Sequence, residues 1–148
     1  MNAHGTILLI EDDANDVFLM QRALKKAEVP NPLQVVGDGD EAVDYLSGSG
    51  RFADRGQYPL PVLVLLDLKL PRKNGIEVLQ WLRQQPSLKR LPVVVLTSSR
   101  EPNDVNLAYD YGANSYLVKP LGSEALLNLV RSLQLYWLSL NEKAEMHP

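Results

Sequence analysis

Val62–Pro71, VLVLLDLKLP, decides the fold. Five apolar residues, most of them branched, run without alternation into a single carboxylate, Asp67. A run with no polar face reads as a strand buried on both sides, the kind found in parallel sheets covered by helices. Pro59 and Pro61 bound it on one side, Pro71 and Asn74-Gly75 on the other, and the length suits a strand better than a helix. In open parallel sheets the ligand crevice lies beyond the carboxyl ends of the strands. Asp67 is therefore expected at that edge. An apolar core has no use for a charge, so this carboxylate is either the solvated end of a strand or a functional group.

Outward from that strand, the same pattern recurs. Thr6–Ile10 (TILLI) closes on Glu11-Asp12-Asp13, and Leu33–Val36 is a short strand. Pro92–Leu96 (PVVVL) closes on Thr97-Ser98-Ser99, and Ser115–Val118 (SYLV) on Lys119-Pro120. Between these runs the apolar spacing turns helical. Val17, Met20, Leu24 and Ala27 predict a helix, with acids ahead of it and Lys25-Lys26 near its end, as the helix dipole favours. Pro30 and Pro32 stop it. A short helix follows Gly37–Gly39, with Asp40 as its expected cap and Ala42, Val43 and Leu46 inward. Asn74-Gly75 opens another, striped by Ile76, Leu79 and Leu82 and ended by Pro86. A shorter one over Pro102–Tyr111 turns Val105, Ala108 and Tyr109 inward, with Gly112 as C-cap. Ser123 is expected to cap a final helix reaching about Leu140. Five strands alternating with five helices over short connections give a doubly wound α/β sandwich. Ser47–Pro61, SGSGRFADRGQYPLP, has no period and is long for a compact-domain loop. It reads as a binding loop, a disordered stretch or a tolerated surface insertion.

The 148 residues fit one domain, residues 1–148, with a core over about 6–138 and a tail at 139–148. A net charge of −3 without a basic run carries no nucleic-acid footprint. No cysteine is present, which removes disulfides and thiolate chemistry and suits a reducing compartment. The N-terminus has no signal pattern and no apolar run approaches a membrane span, so a cytoplasmic protein with no membrane partner is expected. His4 and His147 both lie near termini, read as solvated, and offer no basis for a histidine triad or zinc site.

All strands of such a sheet point the same way, so the residues after each run become neighbours. At that edge stand Glu11, Asp12 and Asp13, then Asp67, then Thr97, then Lys119. Two carboxylates about 5 Å apart repel by roughly 3 kcal/mol at an effective dielectric near 20, enough to raise one pKa by about two units. A hard divalent cation relieves this. Carboxylate oxygens suit Mg²⁺, commonly held by one or two protein carboxylates plus phosphate. Lys119 could hold a phosphate oxygen as a point charge, and Thr97 offers a hydroxyl. The remaining acid is a nucleophile toward a phosphoryl group whose charge the metal and lysine neutralise. The chemistry suggested is an acyl phosphate on an aspartate.

With ILLIEDD, LLDLKLPRKNG, VVVLTSS and YLVKP in this order and spacing, the chain resembles the receiver domain of two-component response regulators over about Thr6 to Leu138. The resemblance implies a flavodoxin-like (βα)5 fold with strand order 2-1-3-4-5. It implies a phosphoacceptor at Asp67, which is then the modified residue, and no enzyme beyond self-catalysed phosphotransfer and dephosphorylation. Asp12 matches the direct Mg²⁺ ligand and Glu11 one that acts through water. Lys69 matches the position whose backbone carbonyl completes the metal shell. Thr97 matches the switch hydroxyl, Lys119 the phosphate-contacting lysine and Tyr116 the rotameric aromatic, though Tyr116 also reads as an ordinary packed strand residue. Asp13 aligns with a variable position and takes no role. Lys69 and Ser99 stand where side chains can control water access to the phosphoryl group. The Lys119–Pro120 bond is expected to be cis.

Phosphorylation of Asp67 would then attract Thr97, shift the segment between the fourth strand and helix, and let Tyr116 swing. Within the family, RFADRGQYPLP, LKLPRKNGIEVL, LPVVVLTSS and the tail LYWL fit single-domain regulators that partner phytochrome-like histidine kinases. Too little sequence follows Leu140 for an expected DNA-binding module, so the signal would leave by contact with a downstream protein or by phosphoryl relay. Leu133, Leu135, Tyr136, Trp137, Leu138 and Leu140 wrap more than one face of the last helix. They suggest a homodimer interface or a tail folded back on its own domain. Two rivals use related parts. A haloacid-dehalogenase-like phosphatase needs a second acid two residues after the nucleophile, where this chain has Lys69. A flavodoxin-like binding module that is never phosphorylated lacks a glycine-rich phosphate loop here, since Glu11-Asp12-Asp13 follows the first strand.

Overall fold

The protein is described by a computed structural model over residues 4–146. Strands β1 (Ile7–Ile10), β2 (Leu33–Val36), β3 (Leu63–Leu66), β4 (Val93–Thr97) and β5 (Ser115–Val118) form one parallel sheet in the order β2-β1-β3-β4-β5. Helices α1 (Ala14–Lys26), α2 (Gly39–Ser47), α3 (Gly75–Gln84), α4 (Pro102–Asp110) and α5 (Ser123–Leu133) alternate with the strands. Successive strand residues point to opposite faces. Ile7, Leu9, Leu63, Leu65 and Val94 accordingly meet α1 and α5 through Met20, Leu24, Val130 and Leu133. Leu8, Ile10, Val64, Leu66 and Val95 meet α2, α3 and α4 through Tyr45, Leu79, Leu82 and Ala108. Both faces are covered, which is why β1, β3 and β4 are buried along their whole length and show no alternation in sequence.

Several helix ends differ from expectation. Asp38, not Asp40, caps α2: its carboxylate accepts the Glu41 N–H at 2.7 Å from an extended backbone, whereas Asp40 already lies inside the helix. Gly122 precedes α5 and Ser123 is its first residue, with no side-chain cap. Helix α4 stops at Asp110 with Tyr111 as C-cap, and Gly112 follows at φ +102°, a conformation other residues avoid. Ala108 is buried as expected, but Tyr109 is 49% exposed, because α4 packs on the sheet along a narrow stripe. Asn74 caps α3 in a reciprocal pair with Glu77.

Ser47–Pro61 is a folded annex of the core rather than an open loop. A single turn of 3₁₀ helix at Gly50–Phe52 buries Phe52 against Tyr45, their rings 5.1 Å apart, and Tyr58 meets Phe52 edge-on at 5.1 Å. The Arg55 guanidinium donates to the carbonyls of Tyr45 (2.7 Å), Leu46 (2.9 Å) and Tyr58 (3.1 Å), satisfying the end of α2. The last helix does reach Leu140, but with π-type winding over Gln134–Leu140. Trp137 and Leu138 fold back onto the α1–α5 side of the core, while Leu135, Tyr136 and Leu140 stay exposed. Beyond them Arg90 donates to the Glu145 carbonyl at 3.2 Å and Met146 packs on the opposite core. No helix among the described residues is long and apolar enough to cross a membrane. His4 is exposed, and His147 lies outside the described residues.

Candidate functional site

The site follows from strand register. Ile10 pairs with Leu66, so Glu11 and Asp67 emerge side by side, and their N–H groups extend the ladder to the carbonyls of Val36 and Ile10. Thr97 pairs with Val118, so Lys119 follows directly, its backbone N–H bonded to the Thr97 carbonyl at 2.8 Å. Glu11, Asp67, Thr97 and Lys119 thus meet at one sheet edge because β1, β3, β4 and β5 run parallel. Gly75, the first residue of α3, lies against the Asp67 backbone, and a Cβ there would strike the Asp67 carbonyl. The absence of a side chain lets α3 close over the end of β3.

Lys119 is the hub. Its ammonium lies 2.6 Å from Glu11 Oε1, 2.8 Å from Asp16 Oδ2 and 2.9 Å from Asp67 Oδ2. Burial alone would lower the lysine pKa, but the three carboxylates outweigh it and hold the group charged well above its ordinary range. Asp67 is 7% exposed, and its second oxygen accepts the Lys69 N–H at 3.2 Å. The Lys69 side chain is exposed, so the backbone of that residue, not its ammonium, borders the carboxylate. Glu11 is almost wholly buried; desolvation pushes its carboxyl up to about 7, against the pull of Lys119 and of the Asp13 N–H bonded to it at 3.1 Å.

Carboxylate oxygens of Glu11, Asp12 and Asp67 lie within 4.8 Å of one another, with Asp12 exposed at the rim. An all-oxygen donor set in excess of its one ammonium, with a buried carboxyl already strained toward the neutral form, fits a hard divalent cation. Asp13 caps α1, accepting from Asn15 (2.8 Å) and Asp16 (3.0 Å), and has no contact with Lys119. Thr97 is fully buried and its hydroxyl has no hydrogen-bond partner among the described residues. Tyr116 is half-buried, packed on the α2–α4 side, with its hydroxyl donating to the Ser99 carbonyl at 2.9 Å.

One participant escaped the sequence reading. Asp16 enters from the first turn of α1, 103 positions from Lys119. The available signal was its place three residues after the Asp13 cap, which turns it back toward the rim of the sheet. One expectation is corrected: every peptide bond among the described residues is trans, Lys119–Pro120 included. Trans is the ordinary isomer of an X–Pro bond, and with it Lys119 reaches both the Thr97 carbonyl and all three carboxylates.

Residues 7–131 match the family model described as the response regulator receiver domain. Response regulator Rcp1 of Synechocystis sp. is 39% identical over 137 residues, which span 93% of this chain and 91% of Rcp1. The crystal structure of the phosphorylated cyanobacterial phytochrome response regulator RcpA superposes with a TM-score of 0.89 at 39% identity, covering 97% of this chain and all of RcpA. Response regulator RPA3017, in red light signalling of R. palustris, gives 0.91 at 35% identity over 96% of this chain and 99% of its own. Rcp1 has also been solved in an Mn²⁺-bound form, with a TM-score of 0.85 at 38% identity over 95% and 99% of the two chains.

Proposed function

The chain belongs to the receiver-domain family of response regulators, and we propose that it accepts a phosphoryl group on Asp67 from a phytochrome-like sensor histidine kinase. The observation that carries this is the convergence of the Glu11, Asp16 and Asp67 carboxylates on one ammonium, at the sheet edge where the buried Thr97 hydroxyl has no partner among the described residues. An Asp67 oxygen attacks phosphorus while the phosphorus–nitrogen bond of the kinase's phosphohistidine breaks, its electron pair leaving with the imidazole. Lys119 neutralises charge on the transferred group, and the exposed Asp12 leaves the site open on one side. Asp12, Asp67 and the Lys69 carbonyl, with Glu11 acting through water, would hold Mg²⁺, which would neutralise the phosphoryl oxygens. Water later attacks phosphorus, releasing phosphate and restoring the carboxylate, so the chain catalyses only its own turnover.

The buried Thr97 hydroxyl gains its missing partner when a phosphoryl oxygen arrives, and the β4–α4 segment and Tyr116 follow. The α4–β5–α5 face then engages a downstream protein or passes the phosphoryl group on. The phytochrome link rests on the relatives named above, and the absence of cysteine fits the cytoplasm where such a kinase domain would work. A homodimer through exposed Leu135, Tyr136 and Leu140 completes the reading. Incubation with acetyl phosphate and Mg²⁺ should add the mass of one phosphoryl group to the wild type and none to Asp67→Ala, and a chelator should prevent it. Equal labelling of the variant would overturn the assignment.

A further inference from the structure

An ammonium has three N–H donors, and Lys119 meets three carboxylates, those of Glu11, Asp16 and Asp67, each within 2.9 Å. A phosphoryl oxygen that binds Lys119 must displace one of them. The Glu11 and Asp67 side chains are 3% and 8% exposed, that of Asp16 36%. Asp16 is therefore the partner that water takes back at least cost. It also stands outside the group of carboxylates within 4.8 Å of one another, Glu11, Asp12 and Asp67, so a cation held by that group leaves Asp16 facing the ammonium. An acid in a first helical turn already suits the helix dipole, but that role needs no partner. Asp16 instead reaches a lysine 103 positions away, with its own backbone N–H held by the Asp13 cap at 3.0 Å.

We propose that Asp16 is a specificity-determining residue: it occupies the Lys119 donor that a phosphoryl group needs, and so selects against phosphodonors of high negative charge. Uptake requires Lys119 to exchange Asp16 for a phosphoryl oxygen, and the released carboxylate stays at the rim, close to the group that arrives. A carboxylate there repels a dianion twice as strongly as a monoanion. Small acyl phosphates are dianions at neutral pH. A phosphoramidate protonated on nitrogen carries one net negative charge, as does a phosphohistidine whose ring is protonated. Asp16 thus favours nitrogen-linked donors over free acyl phosphates. This rests on the phosphoacceptor reading above.

The test labels the full chain with acetyl phosphate or with phosphoramidate, at neutral pH and saturating Mg²⁺, and follows initial rates by intact mass. An Asp67 oxygen attacks phosphorus in both. With acetyl phosphate the phosphorus–oxygen bond breaks and its electron pair leaves on acetate; with phosphoramidate the phosphorus–nitrogen bond breaks and its pair leaves on ammonia. Asp16→Asn keeps the shape of the side chain and removes its charge. It should speed labelling by acetyl phosphate about tenfold, the scale of one charged hydrogen bond, and labelling by phosphoramidate about threefold, half that effect in free energy. The ratio of the two rates then moves about threefold toward acetyl phosphate. Asp16→Glu, which keeps the charge, should hold the ratio at its wild-type value. Loss of folded protein lowers both rates alike and cannot move their ratio. An unchanged ratio in Asp16→Asn, or a shift in Asp16→Glu as large as in Asp16→Asn, would overturn the role given to Asp16. Absence of labelling of the wild type by both donors would overturn instead the function on which that role rests.

Discussion

Thr97 buries a hydroxyl that nothing in the described structure satisfies, a state that costs about 1 kcal/mol or more. Replacing it with an isosteric apolar group removes that cost. Thr97→Val should therefore stabilise the unphosphorylated protein by about 1 kcal/mol, read from the midpoint of urea unfolding, while uncoupling Tyr116 from phosphorylation. Lower stability would mean the hydroxyl has a partner. Glu11 gives a pH signature. Its folded-state pKa of about 7 lies above the ordinary 4.5, so the folded chain holds this proton more tightly than the unfolded one. Its contribution to stability is fully present below about 4.5 and is lost as pH rises through about 7. A divalent cation must displace the same proton. Mg²⁺ affinity should rise with pH up to about 7, with proton release visible as a dependence of the calorimetric heat on the buffer used. Binding without proton release at pH 6 would contradict the role given to Glu11. Glu11, Asp67, Thr97 and Lys119 were legible as site candidates because each directly follows a run read as a strand, with Asp12 next after Glu11. Asp16 was not, since its partner is fixed only once α1 docks beside α5.

At the scale of elements, the annex formed by Ser47–Pro61 depends on Arg55, whose guanidinium holds three carbonyls. Arg55→Ala should destabilise the protein by about 2 kcal/mol, since it strips partners from partly buried carbonyls, yet leave phosphoryl uptake at Asp67 intact. Denaturant unfolding and intact mass, measured on the same variant, separate the two effects. Lost uptake would make the annex part of the site. The strands were easy to read because burial on both faces leaves an unbroken apolar run, and β2 and β5 begin and end at the expected residues. The annex was not, because Gly48, Gly50, Pro59 and Pro61 punctuate it as a loop while Phe52 and Tyr58 find their partners only in three dimensions. Asp38 and Asp40 are equal as caps by composition. Backbone conformation chose between them.

For the molecule as a whole, a parallel sheet brings four strand ends to one edge, and the last helix presents apolar side chains elsewhere. Leu135 and Leu140 are 59% and 66% exposed, whereas Trp137 and Leu138 are engaged with the core. Leu135→Glu with Leu140→Glu should shift sedimentation toward the monomer without lowering labelling of Asp67; unchanged association would remove the final helix from the interface. Alternation could be anticipated from the residues and strand order from the family resemblance, but the division of the tail between core and surface could not, because the π-type winding of Gln134–Leu140 turns its side chains off the helical period. The central claim is that one carboxylate among several takes the phosphoryl group. Borohydride reduction of the phosphorylated chain converts an acyl phosphate to an alcohol, which peptide mapping locates. Reduction at position 67 alone is the expected result, and reduction at Glu11, Asp12 or Asp16, or none, would contradict it.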